Sequence, residues 1–270
     1  MEAEQALVRV CGLNKRYARR GERRGSPGVQ ALAGVDLTIA SGATLALVGQ
    51  SGSGKSTLAR CLARLEQPES GQIWFEGAEL VALRGRSLRP LRQRIQLIFQ
   101  DSADALDPRL SAVEIVAEPL DILGRGAKRA RRARALELME TVGLPPDWGE
   151  RRPGELSGGQ RQRLAIARAL AVLPRLLILD EAFAGLDASI QAQIAALLEE
   201  LRVRHGLTCL YISHDLALMA RLAREVAVLF EGRIVERDSV ARLFADPRHP
   251  HTRALVAAVP AWPAAAPRVS

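Results

Sequence analysis

Lysine is nearly missing from this chain of 270 residues: Lys15, Lys55 and Lys128 are the only three, and every other basic residue is arginine. Aromatic residues make up 4% and cysteines number three, Cys11, Cys61 and Cys209, none of them in a Cys-x-x-Cys pair. That excludes a disulfide framework and a zinc knuckle, and it fits a reducing compartment. With so few aromatics, base stacking has little to work with, so a net charge of +8 is no argument for nucleic acid. The basic clusters at 15–24 and 125–134 read as a solvated or lipid-headgroup-facing surface, and no nucleic-acid partner is expected. No apolar run approaches the ~18–20 residues that span a bilayer. The opening Met-Glu-Ala-Glu-Gln is not a signal peptide, so a soluble cytoplasmic chain is expected. What remains is an ordinary globular mix, 48% apolar and 25% charged. A chain this long buries roughly three-quarters of its unfolded surface and needs no covalent staple.

The order along the chain is strand-rich, then helical, then alternating. Short strands are expected at 6–13 and 37–39. An apolar run at 44–48 ends on Gly49 and leads into a helix at 56–65. Further strands are expected at 71–75, closing on Glu76-Gly77, and at 95–99. Strand signals then stop. Helical spacing marks 113–123 and 127–142, the second with Leu136, Met139 and Val142 opposite a basic face. A helix over 160–173 is stopped by Pro174. After it, strands at 176–179, 208–212 and 226–229 alternate with helices at 188–204, with Asp187 as N-cap and Gly206 beyond its end, and at 215–224. A hairpin at Glu231-Gly232 leads to a strand at 233–236. This pattern predicts an α/β fold with a mostly parallel sheet, interrupted by a helical insert at about 101–170, and a loose Pro/Ala-rich tail from Pro260.

Three motifs carry chemistry. Gly49-Gln50-Ser51-Gly52-Ser53-Gly54-Lys55-Ser56, followed by Thr57, has the G-x-x-x-x-G-K-S spacing between a buried strand and a helix. Glycines let successive N–H groups curl around a phosphate, and the helix start adds its positive end. Lys55 would neutralise β/γ charge and the Ser56 hydroxyl is placed to ligate Mg²⁺. The run 176–179 delivers Asp180 and Glu181 at a strand end, one carboxylate for Mg²⁺ through water, the other to polarise an attacking water. Leu156-Ser157-Gly158-Gly159-Gln160 opens a helix and makes a second anion-binding helix start. It reads either as a cradle for the nucleotide of a partner subunit or as a helix start capped by Ser157.

Together these motifs resemble the ATP-binding subunits of ABC transporters, over about residues 6–260. The Leu156–Gln160 run is similar to the signature that other phosphate-loop enzymes lack. The resemblance implies a phosphate-loop core with a mostly parallel sheet, an N-terminal antiparallel β subdomain and a helical insert. Its extent would be 5–255, with a helical subdomain at about 101–170 and a C-terminal extension at 237–270. It further implies that Tyr17 stacks on adenine, that Gln100 touches Mg²⁺ and water, and that His214 contacts the γ-phosphate. Ala184-Gly-Leu-Asp187 resembles the D-loop.

Finer features resemble the dipeptide/oligopeptide/nickel importer branch: Phe99-Gln-Asp-Ser102, Leu106-Asp-Pro-Arg109, Glu118-Pro-Leu120 and the stretch 243–255. That branch usually has tyrosine where this chain has His251, and its peptide members usually have proline where this chain has Ala182. Phe99-Gln-Asp-Ser102 with Glu181-Ala182 is similar to nickel-type members, so peptide and nickel both stay open. The resemblance implies an ATP hydrolase, using ATP and Mg²⁺, peripheral on the cytoplasmic face of the inner membrane, that energises an importer. Its partners would be a second ATPase subunit, two integral membrane permeases docked around residues 100–120, and an external solute-binding protein. An accessory ATPase of a non-transport complex such as carbon–phosphorus lyase is the alternative.

Overall fold

A computed structural model describes residues 6–18, 28–99 and 106–259. A strand covered on both faces needs a continuous apolar run. β3 (Thr44–Val48), β7 (Leu176–Asp180) and β8 (Thr208–Ser213) are buried at every position. With β6 (Ile95–Ile98), β9 (Glu225–Phe230) and β10 (Arg233–Ser239) they form a six-stranded sheet in the order β10-β9-β3-β8-β7-β6. All neighbours run parallel except β9 and β10, joined through Glu231 (φ 48°) and Gly232 (φ 76°). Alternate side chains part to the two faces. Leu45 and Leu47 join α1 (Lys55–Leu62) and a second sheet in one core, and Ala46 and Val48 join the helices between 112 and 257 in another.

The second sheet is antiparallel, ordered β2-β1-β4-β5. It contains β1 (Ala6–Tyr17), β2 (Val29–Ala40), β4 (Ser70–Phe75) and β5 (Ala78–Glu79). Here the sequence reading fell short, since β1 and β2 run 12 residues each rather than stopping at Leu13 and starting at Leu37. Register shifts between Val10 and Leu13 and between Lys15 and Arg16 keep the two strands paired where side-chain alternation lapses.

Helices α3 (Ala112–Ile122), α4 (Lys128–Thr141) and α5 (Gly158–Leu170) pack on one another through Val113, Val116, Leu138, Met139 and Leu164. On α4 the expected apolar face holds at Met139 and Val142, which are buried together with Ala135 and Leu138, while Leu136 is only partly covered. α3 starts on a capping box, and hydrogen bonds from the Ser111 N–H and hydroxyl hold the Glu114 carboxyl below its ordinary range. α6 (Ala188–His205) ends on Gly206 at φ 62°, and α7 (Leu216–Leu222) is capped by Asp215. Three helices were not anticipated: α2 (Arg89–Arg94), α8 (Val240–Ala245) and α9 (Pro250–Ala257). Each has eight residues or fewer, too short to hold without tertiary support or to show a period. No described helix is long and apolar enough to cross a membrane. The tail from Pro260 lies outside the described residues.

Candidate active site

The parallel strands converge at their C-terminal edge, where open α/β sheets bind ligands. β3 ends on Gly49 and the loop turns straight into α1. Only glycine fits at Gly54, which lies at φ 108° where a Cβ would approach the Ala31 carbonyl to 2.2 Å; at Gly49 a Cβ would meet the Leu229 carbonyl at the same distance. The first N–H groups of α1 have no intrahelical acceptor, so the loop presents donors and partial positive charge to an anion. The Lys55 side chain is buried and its Nζ donates to the carbonyls of Gly49 (2.7 Å) and Gln50 (2.9 Å). Burial holds this ammonium below the usual lysine range, while Glu181 and Asp180 nearby favour its charge. The Ser53 hydroxyl is buried without a partner.

β7 delivers Asp180 to the same edge. Its carboxyl is pushed up by burial, although a hydrogen bond from the Ser56 hydroxyl favours the ionised form. Asp180 Oδ1 has no hydrogen-bond partner. A buried carboxylate oxygen without a donor, beside a serine hydroxyl, is a hard oxygen set, and these residues fit Mg²⁺. Glu181 leaves the strand at φ 53°, in the left-handed region, with its N–H bonded to the Ile212 carbonyl at 2.9 Å. That turn sends its side chain away from Asp180 to His214 Nδ1, at 3.0 and 3.1 Å from the two carboxylate oxygens. His214 follows β8 and is mostly exposed, so the pair can part at small cost.

Tyr17 closes the far side of the loop's helix. Its hydroxyl bonds the Glu66 carboxylate and lies 3.4 Å from the Thr57 hydroxyl, and Lys15 Nζ sits 5.2 Å from the ring centroid. Burial and the bond to Glu66 raise the phenol. Glu66 was not foreseen, because nothing in the local sequence distinguishes it from a surface acid. Gln100 lies outside the described residues.

The Leu156–Gln160 run stands on different supports. Ser157 caps α5, its hydroxyl accepting from Gln160 N–H at 3.4 Å, while Gln160 Oε1 accepts from Ser157 N–H at 2.9 Å. Gly159 lies against α6, where a Cβ would meet Ile190 Cγ2 at 2.8 Å. Asp187 caps α6 by accepting from Ile190 N–H. In one chain, then, the run is a well-made capped helix start. Loop 49–57, Asp180, Glu181, His214 and Tyr17 come together as one constellation, and 156–160 belongs to another part of the molecule.

Comparison with known proteins agrees with this geometry. The family model described as "ABC transporter" matches residues 32–184. The protein named "Probable peptide ABC transporter ATP-binding protein y4tS" of Sinorhizobium fredii is 46% identical over 94% of this chain and 73% of its own length. A Brucella ovis protein, likewise named for peptide import and ATP binding, is 47% identical over 95% of this chain and 80% of its own. Among solved structures, the ATP-binding cassette MJ0796, a dimer bound to ADP and Pi, superposes with TM-score 0.76 at 31% identity, covering 86% of this chain and 98% of that one. Clostridium perfringens cbiO1, part of the transporter complex cbiONQ, gives TM-score 0.78 at 29% identity, over 90% of this chain and 92% of its own. A phosphate loop facing a strand-end acid pair, on a fold shared with these cassettes, places the chain in the ABC transporter family, as an ATP-binding and ATP-hydrolysing subunit.

Proposed function

We propose that this subunit energises import of peptides across the inner membrane, lying on its cytoplasmic face. The observation that carries the reading is the pairing of one hydrolytic constellation, loop 49–57 with Asp180, Glu181 and His214, with a second helix-start cradle that stands apart from it in the same chain. Names of the relatives favour peptides over nickel. Two such chains, or this one and a homologous partner, would sandwich two ATP molecules, each lying between loop 49–57 of one subunit and Leu156–Gln160 of the other.

In that arrangement Lys55 exchanges its two backbone carbonyls for β/γ-phosphate oxygens. Ser56 and Asp180, with Gln100, would hold Mg²⁺, which spreads the developing phosphate charge. Tyr17 stacks on adenine, with Thr57 at the phosphates beside it. Glu181 accepts the proton of the attacking water, and His214, now held by Glu181, turns to the γ-phosphate. Gly49, Gln50, Ser51, Gly52, Ser53 and Gly54 supply the backbone cradle, and Asp187 orders the start of α6 at the subunit boundary. Catalysis is then mostly fixed charge at the place where charge develops.

The permeases would enter a groove of about 470 Å³ lined by Leu97, Phe99, Pro119, Ile122, Ala165 and Val172, where Ile122 is 64% exposed. An external solute-binding protein would present the cargo. Residues 5–255 form the ATPase unit in this reading, with the helical part at about 101–170 and an extension from 237. The test is co-expression with its permeases, purification in detergent and reconstitution in vesicles. Uptake of radiolabelled peptide driven by enclosed ATP, uncompeted by Ni²⁺, is the expected result. Purification with soluble partners only, as a carbon–phosphorus lyase accessory would behave, overturns the transporter reading.

A further inference from the structure

The segment 246–257 follows α8 and folds back on the β9–β10 hairpin. Glu236 on β10 accepts the N–H groups of Arg248 and His249, each at 2.9 Å, which fastens the start of α9. His251 is 8% exposed, and its ring stacks on Phe230 with centroids 4.3 Å and planes 31° apart. The His249 ring lies 6.2 Å from the same phenyl group, and its Nδ1 accepts the His251 N–H. Phe230 is the last residue of β9, and the turn after it touches the phosphate loop. Gly232 donates its N–H to the Ser53 carbonyl at 3.0 Å and accepts the Ala33 N–H at 2.8 Å. A side chain has no room there, because a Cβ on Gly232 would lie 2.9 Å from the Ala31 carbonyl.

A planar trans peptide points its carbonyl and the following N–H in opposite directions. Fastening the Ser53 carbonyl on the hairpin therefore aims the Gly54 N–H away from it, toward the side on which, in the reading above, the loop would hold an ATP phosphate. We propose that His251 is a positioning residue for ATP: its ring, seated on Phe230, braces the turn whose Gly232 orients the Ser53–Gly54 peptide. The position calls for a flat, uncharged ring. His251 Nε2 is buried with no acceptor, so a proton there would find no partner. Burial, and then His249, hold this imidazole below the ordinary histidine range. The charged and titratable groups around it are Arg248, His249 and Arg253 on its own segment, Arg233 paired opposite Phe230, and Glu236 and Asp238 on β10, with both carboxylates engaged by the 248–249 backbone or the Arg248 side chain. The docked segment thus holds the neutral form. Its docking is complete above the free histidine value of about 6.5 and weakens as pH falls through that value toward the lower docked one.

The test is MgATP titration of the full-length chain by calorimetry, with steady-state hydrolysis alongside. His251→Ala is expected to raise Kd for ATP about tenfold, a modest share of what a misplaced contact can cost, with kcat at saturation little changed. His251→Phe restores the affinity. On moving from about pH 7.5 to about pH 5.5, the wild type loses ATP affinity more steeply than His251→Phe, which has nothing to protonate there. Gly232→Ala weakens binding in the same way, by pushing the turn off Ala31. Wild-type affinity in His251→Ala overturns the proposal. So does a His251→Phe variant as weak as His251→Ala, or one that follows the wild type on acidification. The last comparison uses only ring-bearing chains, so it holds even where His251→Ala fails to fold.

Discussion

Glu181 and His214 are in contact in the fold itself. Glu181 sits at φ 53° directly after β7, and both of its carboxylate oxygens face one imidazole nitrogen. An amide at this position keeps the size and one acceptor oxygen but takes up no proton. Glu181→Gln is therefore expected to slow hydrolysis by ~10²–10⁴-fold. ATP binding should persist or tighten, since a negative charge opposite the γ-phosphate is removed. Rates of phosphate release and ATP binding to the purified variant check this, and retention of more than about a tenth of the wild-type rate removes Glu181 from the role of base. The residue types of this cluster were legible in the chain, because the phosphate loop and the strand-end acids are contiguous motifs. The Tyr17–Glu66 and Glu181–His214 contacts were not, since each joins residues that only the fold brings near.

At the scale of an element, α5 is where the two sequence readings of Leu156–Gln160 meet. Ser157 is a helix cap in this structure, and capping is worth about 1 kcal/mol, or about 2–4 °C in Tm for a chain of this size. A cap and a phosphate contact make different demands on the side chain. Ser157→Ala should lower Tm by that amount and impair hydrolysis in the assembled pair of ATPases. Ser157→Asn, a good cap with a different shape, should recover the Tm but not the hydrolysis. If hydrolysis returns together with Tm, the run is a cap alone. Ser157 as a cap was visible in the sequence; its pairing with Gln160 was not, nor was the demand of Ile190 for Gly159, because α6 begins about thirty residues downstream in an order that periodicity cannot report.

Over the whole molecule, the net charge of +8 is less available than it looks. In the basic stretch after Gly124, Arg131 pairs with Asp121, Arg132 with Glu150 and Arg134 with Glu137, while Arg125 bonds Gln93. A face so occupied should bind duplex DNA only non-specifically, with Kd near ~10⁻⁴–10⁻⁶ M at physiological salt. Fluorescence anisotropy with labelled duplexes measures it, and sequence-selective nanomolar binding would contradict the transporter reading.

Some features of this protein are decided within a few neighbouring residues. The buried runs of β3, β7 and β8, the glycines of the phosphate loop, and the caps Asp187 and Ser157 act through hydrogen bonds and φ angles of adjacent residues, so the sequence alone determined them and with them the α/β class. Other features depend on which distant segments meet. β1 and β2 reach 12 residues only because each supplies the other's hydrogen-bond partners across bulges that break the alternation. α9 is a helix only because Glu236 holds the Arg248 and His249 N–H groups just before it and Phe230 covers His251. Short elements bury too little surface to be stable alone, so their signal lies in the contact itself, and the tertiary structure decides them.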